Sequence, residues 1–170
     1  MLSSYIKALF FASFFYISKT DRIESMEQFI TQNQKQTQGL ARILAREILK
    51  YKKVYHGRSR RALVFGLIGN LGAGKTTFIQ AFAKGIGIKA RLTSPTFVLM
   101  KKYGNLYHID CYRIKNYKDI LVLDFQEIVF NPKNIIMIEW AERVRKILPK
   151  DTIWIKFDIV GKMSRKIKIL

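Results

Sequence analysis

The sequence is short of cysteine, of acidic residues and of long apolar runs. Its 170 residues include one cysteine, Cys111, so no disulfide can form within the chain, which suits a reducing compartment. Only 12 Asp and Glu oppose 31 Lys and Arg, which gives a formal net charge of +19. That charge favours polyanionic partners such as RNA, although a proteome biased toward Lys and Ile would also produce it.

An apolar and aromatic run near the N-terminus, residues 9–17, is too short to span a bilayer, which takes roughly 20 apolar residues. It resembles the apolar part of a signal peptide, but no clear cleavage site follows it. Residues 1–25 are therefore interpreted as a mis-assigned start before Met26, as an extra N-terminal element or as a segment that touches a membrane. Residues 26–170 are interpreted as a single domain of ordinary globular composition.

The most informative stretch is residues 69–77, which read GNLGAGKTT. It matches the P-loop pattern G-x-x-x-x-G-K-[ST]. An apolar strand is predicted before it, at residues 62–68, and a helix after it, at residues 77–84. In such a loop, backbone N–H groups at a helix start bind phosphates, the lysine reaches the β- and γ-phosphates and the hydroxyl binds Mg²⁺. The sequence therefore predicts a site for a nucleotide and Mg²⁺.

The residues expected to bind the nucleotide lie in this loop and the first turn of the helix: Gly69, Leu71, Gly72, Ala73, Gly74, Lys75, Thr76 and Thr77.

The remaining sequence predicts a mixed sheet with helices. Strand patterns cover residues 28–31, 97–103, 106–110, 135–138, 152–160 and 166–170, and helical patterns cover residues 34–51, 117–129 and 141–148. A hairpin turn is predicted at Gly104-Asn105. We therefore expect an α/β, three-layer P-loop NTPase-like fold whose mixed sheet contains an antiparallel hairpin.

Two predicted strands end in an acid, at Asp110 and Glu139. In a P-loop fold, an acid at the end of an apolar strand holds Mg²⁺ or positions a water. His108 lies two residues before Asp110, so both side chains are expected on the same face of their strand.

The first predicted helix carries a basic stripe opposite its apolar one. The stripe consists of Arg42, Arg46, Lys50 and Lys53. It is interpreted either as a solvated outer face or as a contact for nucleic acid or a partner.

Four separated motifs together resemble a known family. They read GNLGAGKTT at 69–77, SPT at 94–96, HIDCYR at 108–113 and IEW at 138–140. In this order and spacing they resemble the bacterial threonylcarbamoyladenosine-biosynthesis ATPases called TsaE. The resemblance implies a cytoplasmic ATPase that uses ATP and Mg²⁺, works with the proteins TsaB and TsaD, and supports modification of the adenosine beside the anticodon of certain tRNAs.

The resemblance also implies roles for single residues. Lys75, Asp110 and Glu139 match the family's catalytic positions: the phosphate lysine, the acid needed for hydrolysis and the magnesium-site glutamate. Thr76 matches the second magnesium ligand, and Thr37 a residue near the nucleotide. A further match, looser than these, places Ser164-Arg165 where the family often has Gly-Arg near the nucleotide.

The sequence departs from the family pattern at Asn70, where an acid is usual, and in residues 120–130, which lack the usual Leu-Gly. No arginine finger is evident, so slow intrinsic hydrolysis is expected. Two other functions are compatible with a P-loop: a small-molecule kinase, for which the expected Asp-Arg-Ser stretch and arginine-rich lid are missing, and a scaffold whose assembly ATP gates with little turnover.

Overall fold

The structure, a computed structural model, describes residues 27–54, 60–95, 98–121 and 123–170. Expectations about residues 1–25 and about Thr96 and Phe97 fall outside these ranges. None of the helices in the described ranges is long and apolar enough to cross a membrane.

Seven strands form one mixed sheet at the centre of the described residues. They are β1 (Glu27–Thr31), β2 (Leu63–Gly69), β3 (Met100–Tyr103), β4 (Leu106–Asp110), β5 (Ile135–Glu139), β6 (Ile153–Ile159) and β7 (Arg165–Ile169). Their order is β1-β7-β6-β2-β5-β4-β3, with β6, β2, β5 and β4 parallel to their neighbours in that group. The outer pairs β1–β7, β7–β6 and β3–β4 are antiparallel. The expected mixed sheet with a hairpin is thereby confirmed.

Helices cover both faces of this sheet, which gives the expected three layers. They are α1 (Gln34–Val54), α2 (Lys75–Gly85), α3 (Lys118–Leu121), α4 (Phe125–Phe130) and a 3₁₀ helix η1 (Ala141–Ile147). β2 shows why the central strands are apolar: Phe65 joins the core beneath α1 and α2, while Val64 joins the core beneath α4 and η1. A strand buried on both faces reads as a continuous apolar run rather than an alternating one.

The two long helices touch closely where α2 ends. A Cβ at Gly85 would lie 2.6 Å from the Cβ of Ala45 and 3.2 Å from the Cα of Arg42. Arg42 is accordingly half-buried beside α2, and Lys50 binds the nearly buried carboxylate of Glu47 at 3.0 Å. The stripe was expected on the outer side of the helix, either solvated or in contact with nucleic acid or a partner; Arg42 is only partly exposed there, because α1 packs on α2 as well as on the sheet.

Three predicted elements differ in detail. The strand expected from residue 97 begins only at Met100, because the N–H groups of Val98 and Leu99 bind the Pro95 carbonyl in a turn and Leu99 has a φ of 66°. The helix expected at 117–129 is divided into α3 and α4, with Asp124 at a φ of 52° between them. The last predicted helix is the 3₁₀ helix η1.

Candidate nucleotide-binding site

The predicted phosphate loop connects β2 to α2 at the carboxyl edge of the parallel strands. Gly69 begins it with a φ of 144°, and a Cβ there would lie 2.4 Å from the Phe157 carbonyl oxygen. Gly74 ends it as the N-cap of α2 with a φ of 97°. Both positions need glycine, one for close approach to β6 and the other for its left-handed backbone. These two glycines therefore allow the chain to turn from β2 into α2.

Lys75, the first residue of α2, is buried beside this loop. Its Nζ donates hydrogen bonds to the carbonyl oxygens of Gly69, at 2.6 Å, and Asn70, at 3.0 Å. The same Nζ lies 4.0 Å from the centroid of the Trp140 ring. Burial lowers the pKa of Lys75, and the negative charges of Glu139, Glu142 and Asp110 oppose that shift. The ammonium is thus held in place by the loop and an aromatic face.

The hydroxyl of Thr76 joins the loop to the end of β5. Its Oγ1 lies 2.8 Å from both carboxylate oxygens of Glu139, so it can donate to either. The Nε2 atom of His108, on neighbouring β4, lies 2.8 Å from Oε1 of the same carboxylate. Glu139 and His108 are both buried, so the carboxylate has little freedom to turn. Hydroxyl and carboxylate oxygens are the hard donors that Mg²⁺ prefers.

Asp110 ends β4 directly beside Glu139, its register partner on β5. The hydroxyl of Ser94 donates to its Oδ2 at 2.9 Å, and the backbone N–H of Tyr112 donates to its Oδ1 at 3.0 Å. These bonds orient a carboxylate that is only 5% exposed. Two buried acids therefore stand side by side at the end of the sheet, across from Lys75.

One cavity of about 350 Å³ collects most of the predicted site residues. It is lined by the loop from Leu71 to Thr77, including Gly72, Ala73 and Gly74, and by Ser94, Asp110, Tyr112, Glu139 and Trp140. Gly69 opens the loop but is not part of the lining. Residues that were expected from separate motifs, with separate roles, thus meet around one space.

Thr37 does not line this cavity. It is buried on α1, with its Oγ1 2.8 Å from Oγ1 of Thr31. Thr31 in turn contacts the backbone oxygen of Arg165 at 3.4 Å, and the Arg165 guanidinium donates to the Gly72 carbonyl at 3.0 Å. Thr37 is therefore connected to the phosphate loop through two intermediate residues. The chain of contacts also brings a cation, Arg165, onto the loop itself.

Several residues of the site were not assigned roles from the sequence. His108 was placed on the face of Asp110 but not against Glu139, and Trp140 was noted only as part of a motif. Strand alternation placed His108 on the correct face, but could not predict its bond to Glu139, which crosses between two strands. Cys111 was left without a role; it is fully buried, and burial raises the pKa of its thiol to about 12.

Comparison with known proteins gives the same family that the motifs resemble. A profile described as "Threonylcarbamoyl adenosine biosynthesis protein TsaE" matches residues 31–167. A protein of Aquifex aeolicus named tRNA threonylcarbamoyladenosine biosynthesis protein TsaE is 33% identical over 153 residues, which cover 86% of this chain and 98% of that protein. A protein of the same name from Treponema pallidum is 39% identical over 106 residues, or 61% of this chain and 78% of that protein.

A solved structure extends the similarity to three dimensions. The crystal structure of YdiB from Bacillus subtilis matches with a TM-score of 0.64 and 27% identity, over 88% of this chain and 87% of that one. The similarity in three dimensions thus extends over most of both chains.

Proposed function

Because this chain belongs to the TsaE family, we propose that it is a Mg²⁺-dependent ATPase that acts in the threonylcarbamoyl modification of tRNA. The observation that carries the proposal is the single cavity in which the loop, Lys75, Thr76, Asp110 and Glu139 meet. Each of these side chains has a part in nucleotide hydrolysis that its position supports. The names of the relatives supply the process in which that hydrolysis is used.

Phosphate binding falls to the loop and Lys75. The N–H groups at the start of α2 and the helix dipole favour a negatively charged group at this place. Lys75 lies on the same side, and its two hydrogen bonds are to loop carbonyls rather than to a carboxylate. Its charge is therefore not neutralised by a direct ion pair, and it can serve the β- and γ-phosphates.

Thr76 and Glu139 would hold the magnesium ion. Across the described ranges, no three His, Cys, Asp or Glu side chains converge as a complete metal site. Mg²⁺ does not need one, because it is usually held by one or two protein oxygens together with substrate phosphates and water. When bound, the ion would neutralise charge that develops on the phosphates. His108 keeps one Glu139 oxygen engaged and so helps to fix the direction of the carboxylate.

Asp110 is the residue best placed to orient the attacking water. Hydrogen bonds from Ser94 and from the Tyr112 backbone hold the carboxylate at the cavity wall. An acid fixed in this way would accept a hydrogen bond from water and direct a lone pair toward the γ-phosphate. We infer that this contact matters mainly in the transition state, as for an orienting group rather than a binding one.

The partner proteins are inferred from membership of the TsaE family. We infer that the chain acts in the cytoplasm with TsaB and TsaD, and that its own turnover is slow in their absence. In this structure the Arg165 guanidinium binds the Gly72 carbonyl, the Gly161 carbonyl and the Ser164 carbonyl. A partner that ordered the loop could release this arginine toward the phosphates or supply another cation.

The experiment that tests this function is multiple-turnover phosphate release from ATP, with and without purified TsaB and TsaD. We expect slow release by the chain alone and faster release with the pair, in each case only with Mg²⁺. A mock purification from cells that lack the chain serves as the blank for contaminating ATPases. ADP formation that required a small-molecule acceptor and released no free phosphate would instead indicate a kinase. Tight ATP binding with no turnover under either condition would indicate a scaffold, and both outcomes would contradict the proposal.

A further inference from the structure

A second and larger cavity lies at the other end of the parallel strands, opposite the phosphate loop. Its volume is about 760 Å³, and we call it the rear groove. Arg60 and Arg61, which line it, precede β2, and Lys150 precedes β6. It therefore lies at the amino ends of the strands whose carboxyl ends carry the phosphate loop. A seven-residue strand places the two edges roughly 20 Å apart, so an occupant of the rear groove would not compete with ATP.

The floor of the rear groove is apolar and includes an exposed aromatic ring. Phe125 and Val129 of α4 are buried beneath it, whereas Phe130 at the end of α4 is 57% exposed. The guanidinium carbon of Arg61 lies 5.1 Å from the centroid of the Phe130 ring. A guanidinium held over a ring makes a flat, cationic surface on which another planar group can stack.

The rim of the rear groove is basic. Arg60, Arg61 and Lys150 line it against a single carboxylate, Asp151. The basic character continues to the neighbouring strand, because Lys133 precedes β5 and is exposed. The adjacent strands β6, β2 and β5 thus each follow a basic residue at this edge. With neighbouring strands about 4.8 Å apart, the three strand starts span on the order of 10 Å.

We propose that the rear groove binds a single-stranded segment of RNA, with phosphates on Arg60 and Lys150 and a base against the Arg61–Phe130 pair. Single-stranded RNA is a polyanion that also presents flat apolar faces, and a basic groove beside an aromatic ring is how proteins bind such strands. An acidic protein segment would match the rim charges but would leave the stacking surface without a planar partner. The inference concerns a surface remote from the phosphate loop and does not require ATP hydrolysis.

The test measures binding of a fluorescein-labelled single-stranded RNA of mixed sequence, and of an unmodified tRNA transcript, by anisotropy at several salt concentrations. Two variants of the full chain are compared with wild type: the charge pair, Arg60→Glu with Lys150→Glu, and the single substitution Phe130→Ser. The charge pair should weaken binding by roughly tenfold or more, and should flatten the plot of log Kd against log salt by about 1.4, or 0.7 for each lost phosphate contact. Phe130→Ser should weaken binding severalfold without changing that slope, because stacking releases no counterions.

The matched control is Lys115→Glu with Lys118→Glu, which makes the same charge change on exposed residues at the other edge. It should bind RNA nearly as wild type does. An equal loss in this control, or unchanged binding by both groove variants, would overturn the proposal. The proposal would also be overturned if the groove variants bound RNA normally but failed to bind TsaB–TsaD in the absence of RNA. The rear groove would then be a contact for protein.

ATP binding by every variant checks its fold. ATP hydrolysis by the wild-type chain with TsaB–TsaD is measured in parallel. Its result tests the proposed ATPase function independently of RNA binding.

Discussion

At the scale of single residues, Lys75 has the clearest part in the site. Its ammonium group donates a hydrogen bond to the loop, lies over the Trp140 ring and is attracted by the charges of Glu139 and Asp110. Lys75→Ala removes a positioned charge from a water-poor cavity while the backbone of the loop stays. We expect phosphate release to fall by on the order of 10²-fold or more.

Phosphate release by the purified variant, with TsaB–TsaD present, measures this effect. Lys84→Ala, an exposed lysine on the same helix, is the control and should behave as wild type. Near-normal turnover by Lys75→Ala would contradict the assignment of the phosphate loop.

The two neighbouring acids should differ in what they affect. Glu139→Ala removes the oxygen pair that faces Thr76, so ATP should bind with a weaker dependence on Mg²⁺. Asp110→Ala should leave ATP affinity nearly unchanged and lower the rate of hydrolysis, because its contact with water is made mainly in the transition state. Titration of a fluorescent ATP analogue at several Mg²⁺ concentrations separates the two. Equal losses of affinity in both variants would remove the distinction.

The sequence predicted which residue types meet in this site, but not how they are held. The loop, Asp110 and Glu139 could be placed at one sheet edge because their motifs end strands or begin a helix. The bonds of His108 to Glu139 and of Ser94 to Asp110 could not, because each joins residues from different elements. The contact of Arg165 with the Gly72 carbonyl depends on how the β6–β7 turn sits over the loop, which no local pattern encodes.

At the scale of elements, local sequence signals placed most strands well and failed where the backbone takes left-handed φ values without glycine. Leu99 and Asp124 both do so, and they shorten β3 and divide the helix expected at 117–129. Leucine rarely adopts this conformation, and aspartate, although enriched in it, adopts it at only a minority of positions, so neither residue by itself predicts the break. The 3₁₀ helix η1 similarly follows a left-handed Trp140, whose ring lies over Lys75.

The contact between α1 and α2 provides a paired stability test on two helical glycines. Gly85→Ala would place a methyl group 2.6 Å from the Ala45 Cβ, so we expect it to destabilise the fold by about 1–3 kcal/mol despite the better helix propensity of alanine. Gly39→Ala, on α1, meets nothing within 4 Å and should stabilise by about 0.5–1 kcal/mol. Urea unfolding of both variants measures the two effects.

The double variant Gly85→Ala with Ala45→Gly isolates the overlap between the helices. Removing the opposing methyl group should recover part of the loss caused by Gly85→Ala, after allowance for the helix propensity that Ala45→Gly forfeits. If Gly85→Ala were as stabilising as Gly39→Ala, the helices would not be packed as closely as this structure places them.

At the scale of the whole molecule, the net charge of +19 should govern how the chain meets an assembly that contains tRNA. Part of the basic stripe on α1 is committed to internal contacts, since Arg42 is half-buried and Lys50 binds Glu47. Arg46 and Lys53 are exposed and remain candidates for an outer contact. If they meet phosphates, the stripe gains affinity by releasing counterions, and that gain falls as salt rises.

Arg46→Glu with Lys53→Glu should therefore lower affinity for TsaB–TsaD with tRNA, and should do so most strongly at low salt, where charges on a protein surface are least screened. ATP binding should not change, because both side chains lie on the outer face of α1, away from the cavity. Lys84→Glu with Lys89→Glu makes the same change in net charge on exposed residues at the end of α2 and beyond, and should have a smaller effect. Surface plasmon resonance with and without tRNA measures the affinities of wild type and of both double variants. A flat salt response with equal affinities for both double variants would mean that the charge serves solubility, and that the face of α1 is simply solvated.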